Sequence, residues 1–456
     1  EIDFLGIFDI LEKRSIPLKA KDRTEDHPIV FGGGPVLTAN PEPYCEFFDF
    51  IIIGDAENID TSIIDVIKAN KHLPKAEVLK IVADIKGIYV PSLTEYDETK
   101  GVTKKGGELL CIEKFSAPLS KCISTPVLSE KSFFANTFVI EIVRGCPQRC
   151  GFCLASYLNL PARFCDYDQI IAGIDFGLKY TNKIALLGAL ITAHPRFDDI
   201  CRHILKRKED IPDLELSVSS LRADSISPII IQTLVACGQK HSTIAIEAGS
   251  ERLRKLINKN LSEKQIFETV KTAYENGLKG LKIYAMVGHP TETKHDIDEM
   301  IALAKKLKTS FKDFDFTFSF ATFVPKSHTP FQFCERESVK SLEQKYEYLK
   351  KEFHKLGVKI RTSSVKWDYW QALISRGDRR LCDYLVSVYK DGANLGAFKQ
   401  TYKNMYKQKL LPPSEEFALR KRDINENLPW DFIKMPPSKE ALIKEYQRLL
   451  GECNKV

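Results

Sequence analysis

Cys146, Cys150 and Cys153 lie together as Cys146-Pro-Gln-Arg-Cys150-Gly-Phe-Cys153, directly after the largely apolar run Phe138-Val139-Ile140-Glu141-Ile142-Val143. A strand here feeds a loop that carries three thiolates, with three and then two residues between them. Three thiolates fill three corners of a cubane iron–sulfur cluster and leave the fourth iron open to a ligand that is not protein. An open iron suits redox chemistry on a bound small molecule, so the motif points to catalysis. A structural zinc site usually takes four ligands, often from paired Cys-x-x-Cys knuckles. Here the next cysteine is Cys165, twelve residues on. A disulfide reading would need an oxidising compartment, and no secretory segment is visible.

The pattern resembles the signature of the radical S-adenosylmethionine (radical SAM) superfamily. The resemblance implies a [4Fe-4S] cluster on Cys146, Cys150 and Cys153, with the open iron chelating the amino and carboxylate groups of S-adenosylmethionine. It implies reductive cleavage to methionine and a 5′-deoxyadenosyl radical. Phe152 matches the aromatic that lies near the adenine in that family.

Further candidates fall at the ends of later predicted strands. Gly188, in Leu186-Leu187-Gly188-Ala189, lets backbone approach a ligand, although the acidic residue of the family's GGE-like segment is missing. In Ser217-Val218-Ser219-Ser220-Leu221-Arg222, Ser220 and Arg222 can bind a ribose and a carboxylate, or else cap a helix and face solvent. The stretch Ile246-Glu247-Ala248-Gly249-Ser250-Glu251-Arg252-Leu253-Arg254 resembles one common in the methylthiotransferase-like and cobalamin-dependent branches. Glu247 is expected at the barrel mouth, Ser250 as a helix cap, and Arg252 or Arg254 near the methionyl carboxylate, with a solvated helix face as the other reading of Arg254. Val287-Gly288-His289-Pro290-Thr291-Glu292 resembles the family's GxPxE turn beside the adenine. Gly288 shapes that turn and Glu292 is expected to cap the following helix. His289 is a proton donor or, more commonly for a lone histidine, a structural hydrogen-bonder. Lys326 or His328, in the segment closing the barrel, is a candidate to face substrate. No residue is assigned a catalytic role beyond binding.

The elements that must position these residues read as α/β. Strands are expected at 138–143, 183–188, 214–219, 242–247, 279–286 and 316–323, with helical periodicity between them. Repeated strand–helix units suit an α/β barrel with functional loops at the C-terminal strand ends, and the resemblance implies a partial, open (β/α)6 barrel at 134–333. Residues 1–90 read as a parallel, Rossmann-like segment, with a helix at 3–15 and strands at 27–31 and 50–54. A linker follows at 91–133, polar and rich in Lys and Gly at 98–107, and residues 334–456 read as mainly helical.

The segment Pro28 to Glu57, with Gly32-Gly33-Gly34-Pro35, Asn40-Pro41-Glu42-Pro43 and Gly54-Asp55-Ala56-Glu57, is similar to the second half of a cobalamin-binding-like domain. Cobalamin is therefore a candidate cofactor, although the Asp-x-His-x-x-Gly element that ligates cobalt in some relatives is absent. The chain opens on Glu1 inside an amphipathic stretch, which leads us to expect a truncated fragment. Ser375-Arg376-Gly377-Asp378-Arg379-Arg380 and Leu428-Pro429-Trp430-Asp431 resemble segments of cobalamin-domain-type members. Those arginines either grip an anion or form salt bridges.

With 456 residues, 43% hydrophobic and 28% charged, the chain has the composition of a soluble multidomain protein. A net charge of +6 permits an anionic partner without requiring one, and no 18-residue apolar run predicts a membrane span. Twelve cysteines include the three of the motif. The others (Cys45, Cys111, Cys122, Cys165, Cys201, Cys237, Cys334, Cys382, Cys453) read as buried or incidental reduced thiols, which favours the cytoplasm. The expectation is a radical SAM enzyme that methylates or rearranges an unidentified substrate, served by an electron donor such as flavodoxin or ferredoxin. An RNA-modifying enzyme, with nucleic acid as partner, and a non-catalytic iron–sulfur protein are the competing readings.

Overall fold

The computed structural model describes residues 2–57, 59–119 and 121–451, so Glu1 and Cys453 lie outside the described residues. Its central feature is a run of parallel strands, β1 (Phe138–Arg144), β2 (Lys183–Gly188), β3 (Glu215–Val218), β4 (His241–Glu247), β5 (Gly280–Val287), β6 (Asp315–Thr322) and β7 (Lys359–Thr362). The first six lie where the apolar runs predict them, each end within one residue. β1, β2 and β3 pair in parallel, as do β4 through β7. One parallel bridge, Leu221 to Ile244, joins the two blocks, with the Leu221 N–H donating to Thr243 O at 2.8 Å. β1 and β7 do not pair with each other among the described residues, so the barrel is open. β7 lies in the region read as mainly helical. Its four residues, Lys359-Ile360-Arg361-Thr362, are too short and polar to register as an apolar run.

Helices fill the intervals: α1 (Tyr167–Gly177), α2 (Phe197–Asp210), α3 (Pro228–Ala236), α4 (Glu251–Leu256), α5 (Glu263–Glu275), α6 (Lys294–Ser310) and α7 (Val339–Lys355). The main core packs Ile140, Ile184, Ile244, Ile283 and Phe318 of the strands against Ile174, Ile200, Val270, Leu303 and Phe353 of the helices. On β4 to β6 buried residues alternate with the less buried Thr243, Ala245, Lys282, Tyr284, Thr317 and Ser319. Strand side chains alternate between faces, so helices cover one face and the other stays open and largely polar. Helix starts are fixed locally: Ser250 caps α4 as expected, and Ser262 with Gln265 forms a capping box on α5. Each such cap is worth about 1 kcal/mol.

In the N-terminal segment, strands Phe31–Gly32 and Phe50–Ile52 are parallel, but Ile88–Tyr89 joins antiparallel. The parallel reading stops there for a topological reason. Two helices in series, Ile59–Ala69 and Lys75–Ala83, carry the chain out and back before the third strand. The expected linker at 98–107 contains one arm of a hairpin, Thr94–Asp97 against Gly101–Lys104. The Asp97 carboxylate accepts the N–H groups of Thr99 and Lys100 at 2.9 Å, and Gly101 takes the left-handed turn (φ 76°).

Two cysteines read as free thiols are instead bonded to each other: Cys122 and Cys165 form a disulfide, Cα to Cα 5.7 Å. The reason is register. Ile123 pairs with Glu141 and Phe164 with Val143, both antiparallel on β1, so both cysteines arrive opposite Ile142. The reduced-thiol argument for the cytoplasm does not extend to this pair.

The C-terminal part contains α8 (Val365–Arg376), α9 (Leu381–Lys390), α10 (Leu395–Lys407), α11 (Ser414–Ala418) and α12 (Lys439–Gly451). It shares a core with the N-terminal segment, in which Phe8, Tyr44, Phe47 and Tyr89 join Leu373, Tyr384, Leu385 and Phe398. The arginines at 376, 379 and 380 are engaged internally, Arg379 and Arg380 in salt bridges and Arg376 with backbone carbonyls. Arg376 donates to Arg420 O at 2.7 Å, Arg379 pairs with the fully buried Glu42 at 3.1 Å, and Arg380 pairs with Asp378 at 2.7 Å. No described helix is long and apolar enough to cross a membrane.

Candidate functional site

The parallel strands bring the loop after β1, Gly188, the 219–222 turn, Glu247, Gly288 and the 323–328 segment to one end of the sheet. The thiol loop is held from outside. Gly151 N–H donates to Ile257 O at 2.9 Å and Gly151 O accepts from Phe331 N–H at 3.1 Å. The Asn258 side-chain amide donates to Gln148 O at 3.2 Å and Arg149 O at 2.8 Å. The loop leaves β1 through Gly145 (φ 87°), where a Cβ would lie 2.4 Å from Asn159 O, so only glycine fits.

Cys150 is buried, and Cys146 and Cys153 are partly exposed. Burial pushes the Cys150 thiol up to about 12, against the pull of Lys259 and Arg222. Burial also raises Cys153, opposed by Ser156 beside it. Metal binding requires the deprotonated thiols, so Lys259 and Arg222 supply compensating positive charge. Among the described residues, no three His, Cys, Asp or Glu side chains converge tightly enough to hold a single metal ion. A cubane instead spreads its thiolates over separate irons. Arg222 Nη1 is buried without a partner, although Nε pairs with Asp224 at 2.7 Å. Three thiols, a cationic fringe and an orphaned buried donor fit an anionic cluster with a small polar ligand.

Glu247 ends β4 in the left-handed region (φ 69°) at a register shift in the ladder. Such backbone costs on the order of 1–3 kcal/mol and persists where the surroundings impose it. Its Oε1 lies 3.3 Å from Lys259 Nζ, and its carbonyl accepts from His289 Nε2 at 3.2 Å. His289 is buried, lowered to about 4 by that burial, and flanked by Phe152 and Phe323 at ring-centroid distances of 6.0 and 5.9 Å. It is thus a neutral hydrogen-bonder, not an acid charged at neutral pH. Its Nδ1 is left without a partner.

Gly288 (φ 83°) donates its N–H to Glu292 at 2.7 Å. Glu292 also pairs with Lys345 at 2.6 Å, so it closes the turn; Thr293 and Asp296 cap the helix in its place. Gly188 is required by the protein itself, since a Cβ there would lie 2.8 Å from Val143 O. Ser220 is exposed at the same end. Arg252 is engaged with Asp296 at 2.6 Å and Thr291 O at 3.0 Å. Arg254 is neither a solvated face nor an anion ligand: it is buried and donates to Leu261 O at 2.6 Å and Ala248 O at 2.9 Å. His328 is buried.

Lys259 escaped the sequence reading. It sits after α4 between Asn258 and Asn260, both left-handed (φ 56° and 51°). Asparagine tolerates that region, so the Asn-x-Asn pair was the available signal for a tight turn presenting a lysine.

The model for "Radical SAM proteins, N-terminal" matches residues 1–91, and that for the "Radical SAM superfamily" matches residues 140–304. The uncharacterized protein MJ0966 of Methanocaldococcus jannaschii is 32% identical over 369 residues, 80% of this chain and 75% of that one. The uncharacterized methyltransferase PH0819 of Pyrococcus horikoshii is 25% identical over 307 residues, 65% of this chain and 62% of that one. Among solved structures, the cobalamin-dependent S-adenosylmethionine radical enzyme OxsB, with aqua-cobalamin and S-adenosylmethionine bound, aligns at a TM-score of 0.47 and 14% identity. That alignment covers 98% of this chain and 68% of OxsB.

Proposed function

This chain belongs to the radical SAM superfamily and is a radical SAM enzyme, and from that premise we propose that it reductively cleaves S-adenosylmethionine to methylate or rearrange an unidentified substrate. The observation that carries the reading is the set Cys146, Cys150 and Cys153 on one strand-end loop, with Lys259, Arg222 and Glu247 in the electrostatic field of Cys150. A [4Fe-4S] cluster held by Cys146, Cys150 and Cys153 would supply the electron that cleaves S-adenosylmethionine to methionine and a 5′-deoxyadenosyl radical. The chain's own residues do the rest. The three thiolates hold the cluster. Lys259 and Arg222 offset its negative charge, and Arg222 Nη1 is a free donor for the nucleoside or its carboxylate. Phe152, packed on His289, offers an apolar wall for the adenine. Glu247, Gly188, Ser220, Arg252 and Gly288 complete the candidate binding set. The open face of β4 to β6 provides a polar floor for substrate.

The reading divides the chain into 1–90, a linker at 91–133, the barrel at 134–333 and a C-terminal region at 334–456. Cobalamin belongs with the N-terminal part. The glycine-rich edge that follows Phe31 supports that assignment. Cobalt retained after anaerobic incubation with hydroxocobalamin tests it. A flavodoxin or ferredoxin in the cytoplasm would supply the electron.

The test of the main reading is anaerobic. Iron–sulfur-loaded protein given dithionite and S-adenosylmethionine should release 5′-deoxyadenosine and methionine. If the loaded protein forms neither, it is a non-catalytic iron–sulfur protein. RNA modification remains the second reading, favoured by the lysine-rich groove described next.

A further inference from the structure

Far along the chain from the thiol loop, α8 and α10 enclose a groove of about 770 Å³. Its walls include Tyr369, Trp370 and Tyr406, and its rim carries Lys366, Lys399 and Lys403. The sequence of α10 explains the arrangement. Lys399 and Lys403 are four apart, as are Tyr402 and Tyr406, so a helix sets a row of cations beside a row of aromatic rings. From Leu395 to Leu410 the chain has Lys399, Lys403, Lys407 and Lys409 and no acidic residue. These four and Lys366 are exposed and form no ion pair among the described residues. On the barrel helices about half of the lysines and arginines pair with a carboxylate, as Lys294 does with Asp298 and Lys306 with Glu263. One acid, Glu415, lines the groove, and it accepts from Ser414 at 3.2 Å.

The aromatic lining is equally specific. Tyr406 is 49% exposed, which leaves its ring open to a ligand. Trp370 is 8% exposed and lines the groove. Unpaired lysines with aromatic faces between them recognise a chain that alternates phosphates with flat bases. We infer that this groove binds single-stranded nucleic acid, with Lys366, Lys399 and Lys403 on successive phosphates and a base stacked on Tyr406. A duplex does not suit it, because paired bases keep their faces stacked and out of reach of a pocket between helices. The inference names a substrate or docking class for the enzyme proposed above. It is read by binding, not turnover, so the two can fail separately.

The test uses the full chain and a fluorescein-labelled unstructured RNA decamer of mixed adenosine and uridine, with the matching DNA decamer and a hairpin duplex as arms. The expected result is single-strand binding over duplex, with affinity falling with salt at a log–log slope of about −2, as three phosphate contacts on a single strand predict. Lys399→Glu with Lys403→Glu should weaken binding more than tenfold and flatten that slope. Tyr406→Ala should weaken it roughly tenfold with the slope unchanged, because stacking is not ionic. All three positions are exposed, so thermal unfolding should match the parent. Absence of binding, preference for duplex, or affinity indifferent to these substitutions would overturn the inference. Binding of the DNA decamer as tightly as the RNA would support it, as the groove reads phosphates and base faces and not the 2′-hydroxyl.

Discussion

Lys259 Nζ lies 3.3 Å from Glu247 Oε1, and the charges of both reach the Cys150 thiol. One lysine therefore serves two anions: it pairs with the strand-end carboxylate and eases deprotonation of a buried ligand. Lys259→Met should lower iron bound per chain after anaerobic reconstitution and reduce 5′-deoxyadenosine formation by roughly ten- to a hundredfold, the equivalent of one charge-assisted hydrogen bond. Lys259→Arg should restore most of both. Equal loss in the two variants would mean that the side chain acts through packing and not charge.

Replacing Cys146, Cys150 or Cys153 singly by Ala should remove the visible absorbance and electron paramagnetic signal of the reduced cluster and all 5′-deoxyadenosine formation. Cys150 has the largest effect on stability, because it is the buried one. Replacing Cys201 or Cys237, buried thiols on α2 and beyond α3, should leave iron content unchanged. A cluster that survives loss of any one motif cysteine would mean that the ligands have been misassigned.

The thiol loop and six barrel strands were legible because their signals are local: cysteine spacing, and apolar runs of six to eight residues bounded by turns. What escaped the sequence was decided by distant partners. Arg254 looks like any helix arginine until the carbonyls of Ala248 and Leu261 are seen around it. That Gly188 must be glycine for packing shows only once Val143 O is found against it. Cys122 and Cys165 are 43 residues apart and meet only because two short strands share one edge of β1. The antiparallel strand Ile88–Tyr89 follows from helix count, which local periodicity does not report.

Glu42 and Arg379 tie the N-terminal segment to the C-terminal helices. The Glu42 side chain is fully buried, and Arg379 also donates to Tyr89 OH at 2.7 Å and Thr94 Oγ1 at 2.8 Å. Removing one partner of such a pair leaves the other charge buried, which costs about 3–5 kcal/mol. Glu42→Ala and Arg379→Ala should each lower the urea midpoint by that equivalent. Glu42→Leu with Arg379→Met should lose less than either alone, since no charge is then stranded. A double variant as weak as the sum of the singles would argue that packing, and not the stranded charge, dominates.

His328 makes stability depend on acid. Its ring is buried, Nε2 has no partner, and burial lowers its pKa from the ordinary 6.5 to about 3. The folded state therefore resists a proton that the unfolded state accepts. Between pH 6.5 and 3 the unfolded chain binds more protons, so stability is complete above 6.5 and falls as pH drops, by about 1.4 kcal/mol per unit. His289, lowered to about 4, acts in the same sense over 6.5 to 4. Buried Glu292 and Asp431, whose carboxyls are raised, act in the opposite sense, so the comparison must be made against a variant. His328→Asn suits the left-handed backbone there (φ 55°) and removes one titrating ring. Urea unfolding at pH 7, 6 and 5 should show the parent losing stability faster than the variant, with the gap closing by more than about 1 kcal/mol across that range. Parallel pH profiles would show that the ring titrates alike in both states.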